Sequence, residues 1–264
     1  MSRTGTTSLF LLFRATLTLL LLGGPQIDET LADSEDPLKV AAAADLEPVM
    51  EPLLQVFTRK TGTPVSVVYG ASGELALQVR QGAAFDLFLS ADERFPLLLV
   101  RKGLADPSTL RTYARGKLIL WISGEKRKIM AGAIERLKDP SFGKIAVANP
   151  RIAPYGRAAF ACLRKMNLLG TLRKKLVFGN SVAQVAQFIR TGAVKAGFLS
   201  EAQGKVLGQH LSGKGLSLSP PCSPFLLQKM VVLRRTHHPI KAREFESFLL
   251  GKDARKIFSA GGYR

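Results

Sequence analysis

Leu38-Lys39-Val40-Ala41-Ala42-Ala43-Ala44-Asp45-Leu46-Glu47-Pro48-Val49-Met50-Glu51-Pro52-Leu53-Leu54 changes its period halfway along. Leu38–Ala43 is a short apolar run, the signature of a buried strand. From there the apolar positions are Leu46, Val49, Met50, Leu53, Leu54 and Phe57, the i, i+3, i+4 spacing of one helix face. Asp45 stands at the junction, where an N-cap belongs. Pro48 suits a first turn, whereas Pro52 lies deeper and predicts a kink. Gly62 then stops the helix and Pro64 opens the next segment.

The same unit recurs outward from this stretch. Val65–Tyr69 is short and β-branched. Gly70-Ala71-Ser72-Gly73 turns into a helix that carries Leu75, Leu77 and Val79 and closes at Gly82. Phe85–Leu89 reads as a buried strand followed by a helix after Asp92. Further on, Lys117–Ile122, Ile145–Ala148, Leu176–Phe178, Ala196–Leu199 and Gln228–Leu233 read as strands. Ile129–Leu137, Gly156–Leu169, Val182–Arg190 and Ala242–Ser259 read as helices. Strands alternating with helices predict an α/β fold with largely parallel sheets. No long Gly/Ser or Pro-rich linker divides the chain, so two lobes must be joined by strand-like crossovers.

Composition narrows the function. The 264 residues are 46% hydrophobic and 22% charged, which excludes a mainly disordered chain. Two cysteines and three histidines in no ligand-like spacing exclude a zinc scaffold, and no protein-coordinated metal is expected. The net charge of +18 calls for an anionic partner of some kind. Its basic clusters, Lys126–Lys128, Arg173–Lys175 and Arg234–Arg235, are not interleaved with aromatics, and no nucleic-acid motif accompanies them.

Residues 1–32 are polar and basic at the start. They carry an apolar run from Leu9 to Leu22 interrupted by Arg14, then Gly23-Gly24-Pro25 and small residues up to Ala32. That is the layout of a secretory signal peptide, which predicts export and a periplasmic location. The four charges there, Arg3, Arg14, Asp28 and Glu29, cancel, so the whole surplus belongs to the rest of the chain.

The chemistry is concentrated at the strand-to-helix turns Ala42–Asp45, Gly70–Gly73, Asn149–Gly156 and Gly179–Val182. Ligands of open α/β sheets bind at the carboxyl ends of strands. A helix N-terminus there offers free N–H groups and a partial positive charge. Several such ends make an anion site without Lys or Arg, although Ser72 or Ser181 taken alone is an ordinary cap. Asp86 and Asp92 read as turn and capping residues rather than an acid–base pair. No catalytic triad, nucleophile elbow or phosphate-loop lysine is present, and no enzyme is expected.

Three segments carry a resemblance: Lys39–Leu46, Tyr69–Leu75 and Gly82–Asp92, joined by Ala148-Asn149-Pro150 and Ala153–Ala159. They resemble the periplasmic molybdate-binding proteins, the substrate receptors of molybdate ABC transporters. The resemblance implies a type II periplasmic-binding-protein fold: two α/β lobes joined by crossover strands with a ligand cleft between them. The first lobe would take 38–118 plus 226–264 and the second 119–225. It further implies capture of molybdate or tungstate without a cofactor, and delivery to an inner-membrane permease by a monomer that does not bind nucleic acid. The ligand-binding positions it implies are Ala44, Asp45, Ser72, Gly73, Tyr155, Val182 and Ser200, with the oxyanion held by Ser72 and by donors at Tyr155 and Val182.

Two positions depart from the family pattern. Asp45 stands where the family has a hydroxyl, and Ser200 falls at about the place of a late tyrosine. Two unit charges about 4 Å apart cost about 4 kcal/mol at an effective dielectric of 20. Asp45 is therefore expected to turn away and cap its own helix, leaving a backbone N–H as donor; the alternative is a changed ligand. Cys162 and Cys222 form the one possible pair, which an exported protein permits to bond; free thiols are the alternative. An anion-handling enzyme on the same fold and a basic protein that binds polyanions remain the competing functional classes.

Overall fold

The computed structural model describes residues 36–124, 132–218, 222 and 225–264. The segment 1–32 and the cluster Lys126–Lys128 lie outside the described residues. So does the stretch 129–131, the start of the expected helix Ile129–Leu137.

The opening stretch folds as read. Leu38–Ala43 (β1) is almost wholly buried, and Glu47–Thr61 (α1) turns Val49, Met50, Leu53 and Phe57 inward. α1 runs through the exposed Pro52 and ends on Gly62 at φ 74°, a left-handed stop that costs glycine nothing sterically. Val65–Gly70 (β2), Ser72–Arg80 (α2), Leu87–Ser90 (β3) and Arg94–Arg101 (α3) follow. β1 pairs in parallel with both β2 and β3.

Arg111–Ser123 (β4) is the strand on which the architecture turns. Its first half, Arg111 to Lys117, pairs with the late strand Phe225–Val232, and its second half pairs with other strands from Leu118 onward. Between these lie Ala133–Lys138 (α4), Ile145–Ala148 (β5), Pro154–Lys165 (α5) and Leu169–Leu172 (α6). Leu176–Gly179 (β6), Val182–Arg190 (α7), Ala196–Ser200 (β7), Glu201–His210 (α8) and Gly213–Ser217 (β8) come next. Phe225–Val232 (β9), Pro239–Leu250 (α9) and Lys252–Gly261 (α10) complete the described chain. The strand order is β2-β1-β3-β9-β4-β7-β5-β6, with β8 on β4.

Two α/β lobes result, each with its own apolar core. One is built on β1, α1 and the closing helices around Phe57, Phe245 and Phe258; the other surrounds Trp121, Val147 and Phe198. The sheets are less parallel than expected. β5 pairs in parallel with β6 and β7, but β4 is antiparallel to β7, β8 and β9, and β3 to β9. The cause is connectivity: one strand carries the chain out of the first lobe and its neighbour brings it back, so the two must oppose each other.

The expected closing helix Ala242–Ser259 is two helices that meet at the extended Gly251. β8 is not among the strands expected from the sequence; it packs on Trp121. A Cβ on Gly213 would fall 2.5 Å from Trp121 Cζ2, so glycine is what lets this strand approach. Cys162 of α5 is disulfide-bonded to Cys222, which closes the question the sequence left open. Asp92 does not cap a helix, since α3 begins at Arg94 after Glu93. Its carboxylate instead pairs with Arg157 of α5 across the cleft.

Candidate functional site

Where the lobes face each other, Ala43, Ala44, Asp45, Gly70, Ala71, Ser72, Ala91, Ala153, Pro154, Tyr155, Ser181 and Val182 enclose a small cavity. Its empty space is about 210 Å³, and the centre of a water-sized sphere can occupy about 10 Å³ of it. That is the scale of a single water and well below a drug-sized pocket. No Lys or Arg is among these residues.

Three helices begin on this cavity. The N–H groups of a first turn have no carbonyl within their own helix. In α2, Gly73 N–H is committed to Ile152 O of the opposite lobe (2.9 Å), which leaves Ser72 N–H. In α5, Arg157 N–H already bonds Ala153 O and Pro154 has no N–H, which leaves Tyr155 and Gly156. In α7, Ser181 caps Gln184 N–H through its side chain and Val185 N–H through its carbonyl, which leaves Val182 and Ala183. Each end adds the partial positive charge of its helix.

The Ser72 hydroxyl is buried (1% exposed) and accepts from Ala91 N–H at 3.0 Å. An accepting hydroxyl retains a proton to donate. Gly156 lets α5 come this close: a Cβ there would run into the Ala148 carbonyl.

Ala44, Asp45, Ser72, Tyr155 and Val182 therefore line one cavity. Gly73 and Ser200 do not. Gly73 marks a close approach of the lobes, where a Cβ would lie 2.8 Å from Ile152 O. Ser200 caps α8, its hydroxyl accepting from Gln203 N–H at 3.1 Å. Its side chain is not among those lining this cavity.

The expectation for Asp45 is also corrected. It sits in a short 3-10 turn, Ala44–Leu46, and makes no cap. Its carboxylate is 1% exposed and belongs to a buried network drawn from remote parts of the chain. Oδ2 accepts from Gln228 Nε2 of β9 (2.5 Å), from the Tyr155 hydroxyl (3.2 Å) and from the Tyr263 hydroxyl (3.2 Å). Tyr263 also donates to the Asp45 backbone carbonyl at 2.5 Å. Tyr113 of β4 donates to Gln228 Oε1 at 2.8 Å. Oδ1 has no hydrogen-bond partner among the described residues. Burial pushes the Asp45 carboxyl up to about 6 and drives the hydroxyls of Tyr113, Tyr155 and Tyr263 well above the ordinary tyrosine range.

Gln228 and Tyr263 escaped the sequence reading. A glutamine inside the apolar run Leu226–Val232 was a usable signal, because a buried amide demands partners. Tyr263 offered none: it meets Asp45 only after 218 residues of chain.

Across the cleft, Arg157 pairs with Asp92 and lies over the Phe95 ring at 5.6 Å. Its Nη1 has no hydrogen-bond partner among the described residues. Asp86 is a turn residue, as read. It accepts from Lys39 N–H (2.7 Å) and from the Thr236 hydroxyl (2.6 Å), and so fastens β1 to the loop after β9.

Fold and cavity together define a two-lobed receptor for a small solute. Residues 38–264 match the family described as bacterial extracellular solute-binding protein, and the chain belongs to that family. It is 34% identical over 232 residues to the molybdate-binding protein ModA of Rhodobacter capsulatus, covering 88% of this chain and 89% of that one. It is 33% identical over 226 residues to ModA of Azotobacter vinelandii, covering 86% and 89%. The solved structure of the Azotobacter vinelandii periplasmic molybdate-binding protein superposes with a TM-score of 0.80 at 32% identity, over 86% of this chain and 98% of that one. The sulfate-binding protein SubI of Mycobacterium tuberculosis shares the fold at 16% identity, with a TM-score of 0.75 over 86% of each chain.

Proposed function

We propose that this protein captures molybdate, or the nearly isosteric tungstate, in the interlobe cavity and delivers it to an ABC transporter permease in the inner membrane. The observation that carries the reading is the convergence of three helix N-termini and the Ser72 hydroxyl on one small cavity that no Lys or Arg lines. Identity of 33–34% to molybdate-binding relatives supports it.

The oxyanion is recognised by neutral donors: Ser72 O–H and the N–H groups of Ser72, Tyr155, Gly156, Val182 and Ala183. Such donors are oriented before the ligand arrives and discriminate by size. Ligand that touches both lobes binds the closed arrangement better than the open one, and that difference drives closure. No bond is made or broken, and no cofactor is needed. Residues 1–32 direct export to the periplasm, and the receptor acts as a monomer.

The test is calorimetric titration of the purified protein with molybdate, tungstate, sulfate and phosphate, alongside thermal melting. Binding of one anion per chain is expected, with stabilisation of about 2.7 kcal/mol when free ligand reaches a hundred times Kd. No response to any of the four at millimolar concentration refutes the reading. Ser72→Ala should weaken binding by about 1–3 kcal/mol, the cost of losing a hydrogen bond to a charged oxygen; unchanged affinity would reduce Ser72 to a support for Ala91.

A further inference from the structure

Asp45 is the one carboxylate on the wall of a cavity otherwise built to receive an anion. Its two oxygens are differently placed. Oδ2 is held by Gln228 Nε2 and the Tyr155 and Tyr263 hydroxyls, whereas Oδ1 is buried with no hydrogen-bond partner among the described residues. Asp45 lines the cavity, and Oδ1 is the carboxylate oxygen that no hydrogen bond among the described residues has taken. An ionised Oδ1 would oppose a dianion in a water-poor space, where charge repulsion is least screened. A protonated Oδ1 reverses the interaction, because O–H···O⁻ is a strong, short hydrogen bond.

We propose that the receptor binds its oxyanion together with one proton, carried on Asp45 Oδ1 and donated in a hydrogen bond to a ligand oxygen. The proposal rests on the oxyanion-receptor reading above. The balance is simple: one H⁺ from solvent adds to the Asp45 carboxylate, the anion enters, and both leave together when the lobes reopen.

The surroundings of Asp45 fit this. Its hydrogen-bond partners are neutral: Tyr155 of α5, Gln228 of β9 and Tyr263 after α10, with Tyr113 of β4 one bond further out on Gln228. Glu47, two residues along, faces Arg190 and Gln203. Among the described residues no Lys or Arg pairs with this carboxyl, and burial tilts it toward the protonated form. A dianion at Oδ1 tilts it further.

The experiment is titration of the full chain with molybdate from pH 6.5 to 8.5, where the probe stays a dianion. It is run in two buffers of different ionisation heat, so that proton uptake is read directly. For the wild type we expect uptake of about one proton per molybdate at the upper pH, and about tenfold weaker binding per pH unit there. In Asp45→Asn the side chain cannot titrate, so uptake should vanish and affinity, whatever its level, should be flat with pH.

Wild-type binding with no uptake and no pH dependence overturns the proposal and leaves the receptor reading standing. Uptake that persists in Asp45→Asn also overturns it, because the proton then goes elsewhere. If the variant does not fold or bind, the wild-type uptake decides. If the wild type binds neither molybdate, tungstate nor sulfate at any pH, the receptor reading fails and takes this proposal with it.

Discussion

Replacing Asp45 by Asn should stabilise the ligand-free protein at neutral and alkaline pH. In the folded chain the carboxyl is pushed up from 3.8 to about 6 by burial. In the unfolded chain it ionises at the ordinary value, so between about pH 4 and pH 6 the unfolded state releases its proton first. This group therefore costs the fold nothing below about pH 4. The cost grows as pH rises from about 4 to about 6 and levels off above that, where the folded carboxyl ionises as well. A difference of about two pH units is worth about 3 kcal/mol at 1.36 kcal/mol per unit.

Asn keeps an acceptor for Gln228 and Tyr155 and cannot ionise, so most of this cost should disappear. The variant is expected to be more stable by about 2–3 kcal/mol at pH 8 and equal to the wild type near pH 4. Urea unfolding of both proteins at pH 4, 6 and 8, without ligand, measures the gap. A chain of this size shifts in Tm by about 2–4 °C per kcal/mol, so melting curves should show it as well. A gap that does not change with pH, or a wild type that is the more stable at pH 8, would refute the reasoning.

The disulfide Cys162–Cys222 closes a separation of 60 residues, for which chain entropy gives about 4 kcal/mol. Denaturant unfolding of the Cys162→Ala, Cys222→Ser double variant should show a loss of that order, and an unchanged midpoint would contradict it. Gly156→Ala drives a Cβ into the Ala148 carbonyl and moves the start of α5. Its circular dichroism should stay native while molybdate affinity falls at least tenfold; retained affinity would mean the α5 N–H groups do not hold the ligand. Arg157→Ala removes the pairing with Asp92 across the cleft, and with it support for the closed arrangement. Binding should weaken about tenfold, and small-angle scattering should show a less compact liganded state. Equal affinity and equal dimensions would rule out a role in closure.

Much of the fold was readable because its signals are local. Leu46, Val49, Met50, Leu53 and Phe57 declare α1 by spacing alone; short strand-to-helix turns hold Ala44, Ser72 and Val182 and a longer one holds Tyr155, while the family resemblance singled these residues out. The errors arose where distant contacts decide. β4 begins at Arg111, well before its apolar half, because β9 supplies the pairing there. Gly213 and Gly215 carry no strand signal of their own, because their role is to make room for Trp121 and Ile119, which lie where their Cβ atoms would be. Asp45 has the sequence context of a cap, but its real partners lie on β9, on α5 and beyond α10. No helix among the described residues is long and apolar enough to cross a membrane.

Tyr263 bonds the backbone of Asp45, and beside it Arg115 and Arg264 exchange both backbone hydrogen bonds, at 2.7 and 3.0 Å. The order of synthesis then matters. A growing chain that has made β1 and every cavity turn still cannot complete the network around Asp45, because the hydroxyl that closes it is encoded 218 residues later. Contacts so remote in sequence form late and slowly. The wall of the cavity at Asp45 is thus finished only when the far end of the described chain has folded back onto it. Loss of the Tyr263 hydroxyl would therefore be felt at the cavity wall through Asp45, although Tyr263 does not line the cavity.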